Sequence, residues 1–177
     1  MAVNTDNIEI GEGDLTLQFE GEAEPTDVGG CIDAELEIKT KDLDVEVGQY
    51  IDPVDTFDIS REISFSITLK EDTMRNFVTA LGGDPADITV SDDKDIYSFP
   101  ANSVNTSKFA ELIYTVARVR DKTKYRKITL YKVKAKGGIK YSFKKDKEVQ
   151  YKVMFQAYAD SVHDGKPGKI EKDQLSA

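Results

Sequence analysis

Paired carboxylates are the side chains of this sequence best placed, by type and spacing, to do chemistry. Asp42 and Asp44 stand two residues apart in a strand-like stretch, which puts both on one face, and Glu35 and Glu37 share the same spacing. Such pairs serve acid–base catalysis or hold a divalent cation. The surroundings that either use requires are missing. No EF-hand calcium-loop pattern occurs, and the run Asp92-Asp93-Lys94-Asp95 lacks the glycine and the closing glutamate of one. The only histidine, His163, sits in a polar C-terminal stretch without a cysteine or serine partner, so no base–nucleophile pair forms around it. The only cysteine, Cys31, follows Gly29-Gly30 at a strand start and reads as a small buried hydrophobe. A single cysteine also excludes an internal disulfide and a thiol-rich metal site. Gly11-Glu12-Gly13 and Gly82-Gly83 lack the strand-to-helix setting of a phosphate loop. Asn105-Thr106-Ser107 matches a glycosylation sequon by chance. No catalytic, cofactor or metal site is expected, and the chain is read as a non-enzyme.

The segment Lys122–Lys147 carries a different chemistry. Tyr125, Tyr131, Tyr141 and Phe143 alternate with a run of lysines and Arg126, the mixture that single-stranded nucleic-acid binders use for base stacking and phosphate contact. A nucleic-acid-binding β-module is therefore the alternative reading. A basic hairpin with packed tyrosines and solvated lysines gives the same pattern. A carbohydrate-binding or hydrolytic sandwich, resting on the acidic pairs alone, is the third.

The elements that must position these residues are mostly strands. Leu15, Leu17 and Phe19 alternate with polar residues, as do Ile32–Ile38, Leu43–Val47 and, most clearly, Ile59–Leu69. The period then changes. Met74, Phe77, Val78 and Leu81 fall at i, i+3, i+4 and i+7, which predicts a short amphipathic helix over about residues 72–82, with Asp72 as N-cap and Gly82-Gly83 as the stop. Residues 84–107 read as a long connection with a short strand at Asp95–Phe99. Phe109–Val119, Arg126–Lys134, Ile139–Phe143 and Val149–Ala157 read as strands, with Gly137-Gly138 as a turn. The pattern predicts a mainly β single domain over 1–177, a β-sandwich or partial barrel of two packed sheets with one helix. A long extended hairpin or loop is expected over about 41–57. Flexible ends are expected at 1–10 and 161–177.

Composition agrees with a globular chain of 177 residues, 39% hydrophobic and 32% charged, with a net charge of −9. No signal sequence is visible at the N-terminus, so synthesis in a reducing cytosol is expected. Residues 1–72 hold most of the 33 acids and few of the 24 bases, whereas residues 73–177 are net basic. Such a split lets an acidic face of one copy dock against a basic face of another.

The order of segments carries the strongest signal. Gly29-Gly30 leads into the charged strand Cys31–Lys39 and then the acidic stretch Lys41–Tyr50. Asp52-Pro53-Val54-Asp55 precedes a strand ending Thr68-Leu69-Lys70-Glu71. Directly after it comes Thr73-Met74-Arg75-Asn76-Phe77-Val78-Thr79-Ala80-Leu81-Gly82-Gly83. A late strand, Tyr151–Asp160, closes on an aspartate and is followed by Gly165–Ile170. This arrangement resembles the tail tube (major tail) proteins of long-tailed, non-contractile phages and related tail-like particles. Residues 84–107 and the Gly137-Gly138 hairpin have no match in it.

The resemblance implies a β-sandwich subunit that self-assembles into hexameric rings stacked as a hollow tube. It implies a tape-measure protein inside during assembly, terminator and distal tail proteins at the ends, and DNA passing through an acidic lumen without specific binding. The particle would be a virion tail made in the bacterial host cytoplasm, with no membrane contact and no cofactor. A negative wall would repel DNA phosphates. Asp33, Glu35, Glu37 and Glu62 are the acids assigned to that wall. Asp42, Asp44, Glu46, Tyr50, Asp52, Asp55 and Phe57 are assigned to an arm reaching a neighbouring subunit or ring.

Overall fold

Alternating apolar residues need a shared interior, and here one folded sheet supplies it. A computed structural model describes residues 13–45, 55–99, 108–117, 123–138 and 149–173. In chain order the strands are β1 (Asp14–Phe19), β2 (Thr26–Asp27), β3 (Cys31–Val45), β4 (Asp55–Leu69), β5 (Thr89–Ser91), β6 (Lys94–Ile96), β7 (Ala110–Ala117), β8 (Tyr125–Lys136), β9 (Tyr151–Ala157) and β10 (Gly168–Lys172). Eight of them form one antiparallel sheet in the order β2-β1-β7-β8-β9-β4-β3, with β10 alongside β8. Strand β8 makes the fold possible. Its first part pairs with β7 on one edge and β10 on the other, and its last residues, Val133–Lys136, pass to β9. The sheet thereby turns into two facing layers without closing into a barrel. Phe65 of β4 meets Tyr114 of β7 across the interior, with ring centroids 5.2 Å apart. The expected pair of packed sheets is thus two halves of one continuous sheet. The second sheet is the small ribbon β5–β6.

The inward positions are those that the alternation predicts. Leu15, Leu17 and Phe19 from β1, Phe65, Ile67 and Leu69 from β4, and Tyr151, Val153 and Phe155 from β9 are all buried in one cluster. Helix α1 (Met74–Leu81) packs against β8 and β9 and sends Phe77 edge-on to Tyr151. Asn76, buried in the helix, donates to the carbonyls of Val28 and Glu71 and fixes the loops on either side. Gly82 ends the helix at φ 78°, the left-handed geometry that glycine adopts without penalty.

Four expectations need correction. The N-cap is Thr73, whose hydroxyl accepts the Asn76 N–H at 3.1 Å; Asp72 instead accepts from the Tyr151 hydroxyl. The stretches 32–38 and 43–47 belong to one long strand through residue 45, because backbone pairing with β4 continues after inward burial stops. The short strand expected at Asp95–Phe99 is present as β6 but runs Lys94–Ile96, and it pairs with β5 in a hairpin that was not expected. Asp92 and Asp93, at φ 51° and 60°, form the two-residue connection that a tight hairpin favours. Residues 161–177, read as a flexible tail, contain β10, which pairs with β8 from Gly168↔Leu130 to Lys172↔Arg126. Its side chains are exposed, so it is held by backbone bonds and leaves no burial pattern to read.

Candidate assembly interface

Beyond the core, β3 and β4 continue as a two-stranded arm. From Glu37 to Asp44 on β3 and from Asp55 to Glu62 on β4, every side chain is exposed. Ile38, Leu43, Phe57 and Ile59 are each more than half exposed, at 53%, 55%, 55% and 51%. Residues opposite one another in an antiparallel pair share a face. Leu43 pairs with Phe57 and Val45 with Asp55, while Asp42 pairs with Asp58 and Asp44 with Thr56. The arm therefore has an apolar face, edged by Asp55 at one end and Lys41 at the other, and an acidic face. An irregularity between Lys41 and Asp42 leaves Ile59 without an opposite residue and turns Phe57 onto the face opposite Ile63. The Asp42 carboxyl titrates above its ordinary value, chiefly through its hydrogen bond with Asp58 and then through partial desolvation and the charges of Asp58 and Asp44. The Thr56 hydroxyl donates to Asp44 at 2.8 Å and ties the two strands together.

Of the residues assigned to the arm, Asp42, Asp44, Asp55 and Phe57 are therefore brought together on it. Glu46, Tyr50 and Asp52 lie outside the described residues. Of the acids assigned to a channel wall, Glu35, Glu37 and Glu62 share the outward face of β3 and β4. Lys39 pairs with Glu37 at 2.9 Å and Lys136 approaches Glu62 at 4.0 Å, so the face is mixed in sign. The Glu37 hydrogen bond raises the Lys39 pKa. Asp33 sits at a separate β-bulge, with φ 55°.

The basic, aromatic segment is partly engaged within the protein. The Tyr131 ring stacks on His163 at 3.7 Å, and Lys132 and Lys134 both lie 4.2 Å from the centre of the Phe109 ring. Tyr125 remains 43% exposed, and Tyr141 and Phe143 lie outside the described residues. His163 also bonds Asp160 at 2.5 Å, so it organises a turn. Cys31 is buried and its thiol donates to the Gly13 carbonyl. Among the described residues, no three histidine, cysteine or carboxylate side chains converge to hold a metal.

Two surface grooves were not foreseen. One, of about 440 Å³, is floored by Phe19, Phe109 and Tyr131 and carries Glu20, Glu22, Glu111 and Asp160 against the single cation Lys132. The other, of about 360 Å³, opens where the two layers part at the base of the arm. Leu36, Ile38 and Ile63 form one wall, Ile128, Leu130 and Ile170 the other, and among the described residues Arg61, Lys166 and Lys169 are its charged groups. Its sequence signal was hidden, because five of its eleven described lining residues, Lys166 to Ile170, fall in the stretch read as a flexible tail.

No family model matches the chain, and no curated protein does. Its fold is similar to that of a chain in the cryo-EM structure of the anti-feeding prophage baseplate, 6-fold symmetrised, with 7% identity and a TM-score of 0.57 over 99% of this chain and 100% of that one. It is also similar to a chain in the structure of the anti-feeding prophage cap, which terminates the tube, with 9% identity and a TM-score of 0.53 over 98% and 100%. At such identities the likeness is one of fold.

Proposed function

We propose that this chain is a structural, non-catalytic subunit of a phage-tail-like particle, and within it a tube subunit that associates with its own copies into stacked hexameric rings. The arm formed by β3 and β4 is the observation that carries this reading. A two-stranded ribbon presenting Leu43, Phe57 and Ile59 to solvent has no core of its own among the described residues, and exposed apolar side chains on an extended ribbon are suited to burial against another chain. Two further lines support it. The order of segments resembles that of tail tube proteins, and the fold is similar to chains of a tail-like baseplate and of a tube cap. On this reading Asp33, Glu35, Glu37 and Glu62 contribute to the channel wall, DNA passes without specific binding, and tape-measure, terminator and distal tail proteins are the other partners.

Negative-stain electron microscopy of the concentrated full-length chain tests the proposal. Rings or tubes are expected from the native sequence and not from the variant carrying Asp42→Lys and Asp44→Lys. Tubes of native appearance from that variant would remove the acidic face of the arm from the assembly contact. Retention on single-stranded DNA that weakens with salt, without rings, would favour the nucleic-acid reading.

A further inference from the structure

The arm needs a receptor, and we infer that it is the apolar groove at the base of the arm on a second copy of this chain, so that copies join head to tail. The inference rests on the assembly role proposed above and adds which surface receives the arm.

Charge selects between the two grooves. The described part of the arm carries Glu37, Asp42, Asp44, Asp55, Asp58 and Glu62 against Lys39, Lys41 and Arg61. Among its described lining residues the larger groove presents four carboxylates and one cation. Arg75 pairs with Glu22 at 2.6 Å and offsets one acid, which leaves Glu20, Glu111 and Asp160 against Lys132, so an acidic arm is repelled there. Among its described lining residues, the groove beside Ile38 and Ile170 has three cations and no acid. Glu171 pairs with Lys169 at 3.0 Å and offsets one of them, which leaves Arg61 and Lys166 as the attracting pair. Asp55 lies on the same face as Leu43 and Phe57, so it meets the rim when that face enters the groove. A ribbon two strands wide is thin, and the field of Asp42, Asp44 and Asp58 from its far face still falls within a Debye length of about 8 Å.

Apolar chemistry agrees. Ile38 and Ile170 flank the groove at 53% and 56% exposure, enough to be covered by Leu43 and Phe57 of the incoming arm. The occupant cannot be the arm of the same copy. Leu43 lies five residues beyond Ile38 on one extended strand, about 17 Å away. Donor and receptor are therefore different patches of one surface. A contact of that kind generates closed rings when its rotation closes and open filaments when it does not.

The test uses two full-length proteins, one with Leu43→Cys on the arm and one with Ile170→Cys in the groove, mixed and treated with a short bismaleimide. A heterodimer is expected from this mixture and none from Leu43→Cys with Val162→Cys, which marks the acidic groove. Adding Asp55→Lys to the arm protein, or Lys166→Glu to the groove protein, lowers the yield by about fivefold, and combining both restores it. Rings or tubes without the Leu43–Ile170 link, or with a Leu43–Val162 link, would overturn the receptor and leave the tube reading standing. No link and no assembly at any concentration would overturn both.

Discussion

Asp42 and Asp58 stand directly opposite one another across the arm, two carboxyl groups facing each other on a solvent-exposed ribbon. Like charges in opposed positions oppose strand pairing, so Asp42 holds its proton more readily in the folded arm than in the unfolded chain.

The sign of the pH effect follows from that. With the folded pKa of Asp42 raised above 3.8, the folded arm binds more protons than the unfolded chain in the window just above that value. Pairing in the arm should tighten as pH falls through the window and loosen as pH rises out of it. Carboxyl carbon titration by NMR should give Asp42 a midpoint above 3.8 that returns toward 3.8 in Asp58→Asn. An unchanged midpoint in that variant would show that Asp58 is not the cause.

Leu43 and Phe57 are each 55% exposed and outside the core cluster, so removing their apolar surface should spare the monomer. The double variant Leu43→Ser, Phe57→Ser is expected to unfold within about 0.5 kcal/mol of the native chain. Assembly, followed by light scattering, should be lost. A large drop in stability would mean that the arm packs on its own core in solution.

Strand existence was largely legible from alternation because the buried sets Leu15/Leu17/Phe19, Phe65/Ile67/Leu69 and Tyr151/Val153/Phe155 each line one inward face. What alternation could not convey was where pairing outlasts burial. Strand β3 continues through Asp44 with every side chain exposed from Glu37, and β10 pairs with β8 through its backbone with its side chains largely exposed, so neither leaves a hydrophobic signature. The arm was partly visible through its acids. Its receptor groove was not, since it joins Ile38, Ile63, Ile128 and Ile170 from four separated stretches of sequence. The N-cap was misplaced by one residue because Asp72 and Thr73 are both good caps, and only the Tyr151 hydroxyl distinguishes them.

That hydroxyl is itself testable. Tyr151 is fully buried, its ring meets Phe77 at 6.2 Å, and its hydroxyl donates to Asp72 just ahead of the helix. Tyr151→Phe keeps the packing and loses the bond, at a cost of about 1–2 kcal/mol. Tyr151→Ala also opens a cavity and should cost about 3–5 kcal/mol. Urea unfolding should show both as lower midpoints with an unchanged slope.

Gly168 lets β10 lie close to β8. A Cβ there would stand 2.3 Å from the Thr129 carbonyl oxygen and 2.8 Å from a Leu130 methyl. Gly168→Ala should push the strand off its partner, at a cost of about 1–3 kcal/mol. Amide exchange should accelerate at Lys169–Lys172 while β9 keeps its protection. Equal acceleration in both would mean that β10 is part of the global folding unit.

His163 combines two contacts that substitution can separate. Its ring stacks on Tyr131 and its Nδ1 bonds Asp160, and that bond is the first cause of a depressed Asp160 pKa. A depressed carboxylate contributes stability above 3.8 that is lost as pH falls through its folded value, so this turn should loosen in acid where the arm tightens. His163→Phe keeps an aromatic face for Tyr131 and removes the bond. The Asp160 midpoint should then rise toward 3.8 while the Tyr131 ring shifts stay near those of the native protein. His163→Ala should change both. If Asp160 titrated alike in all three proteins, the depression would come from the Val162 N–H and the nearby Lys132 charge instead of the histidine.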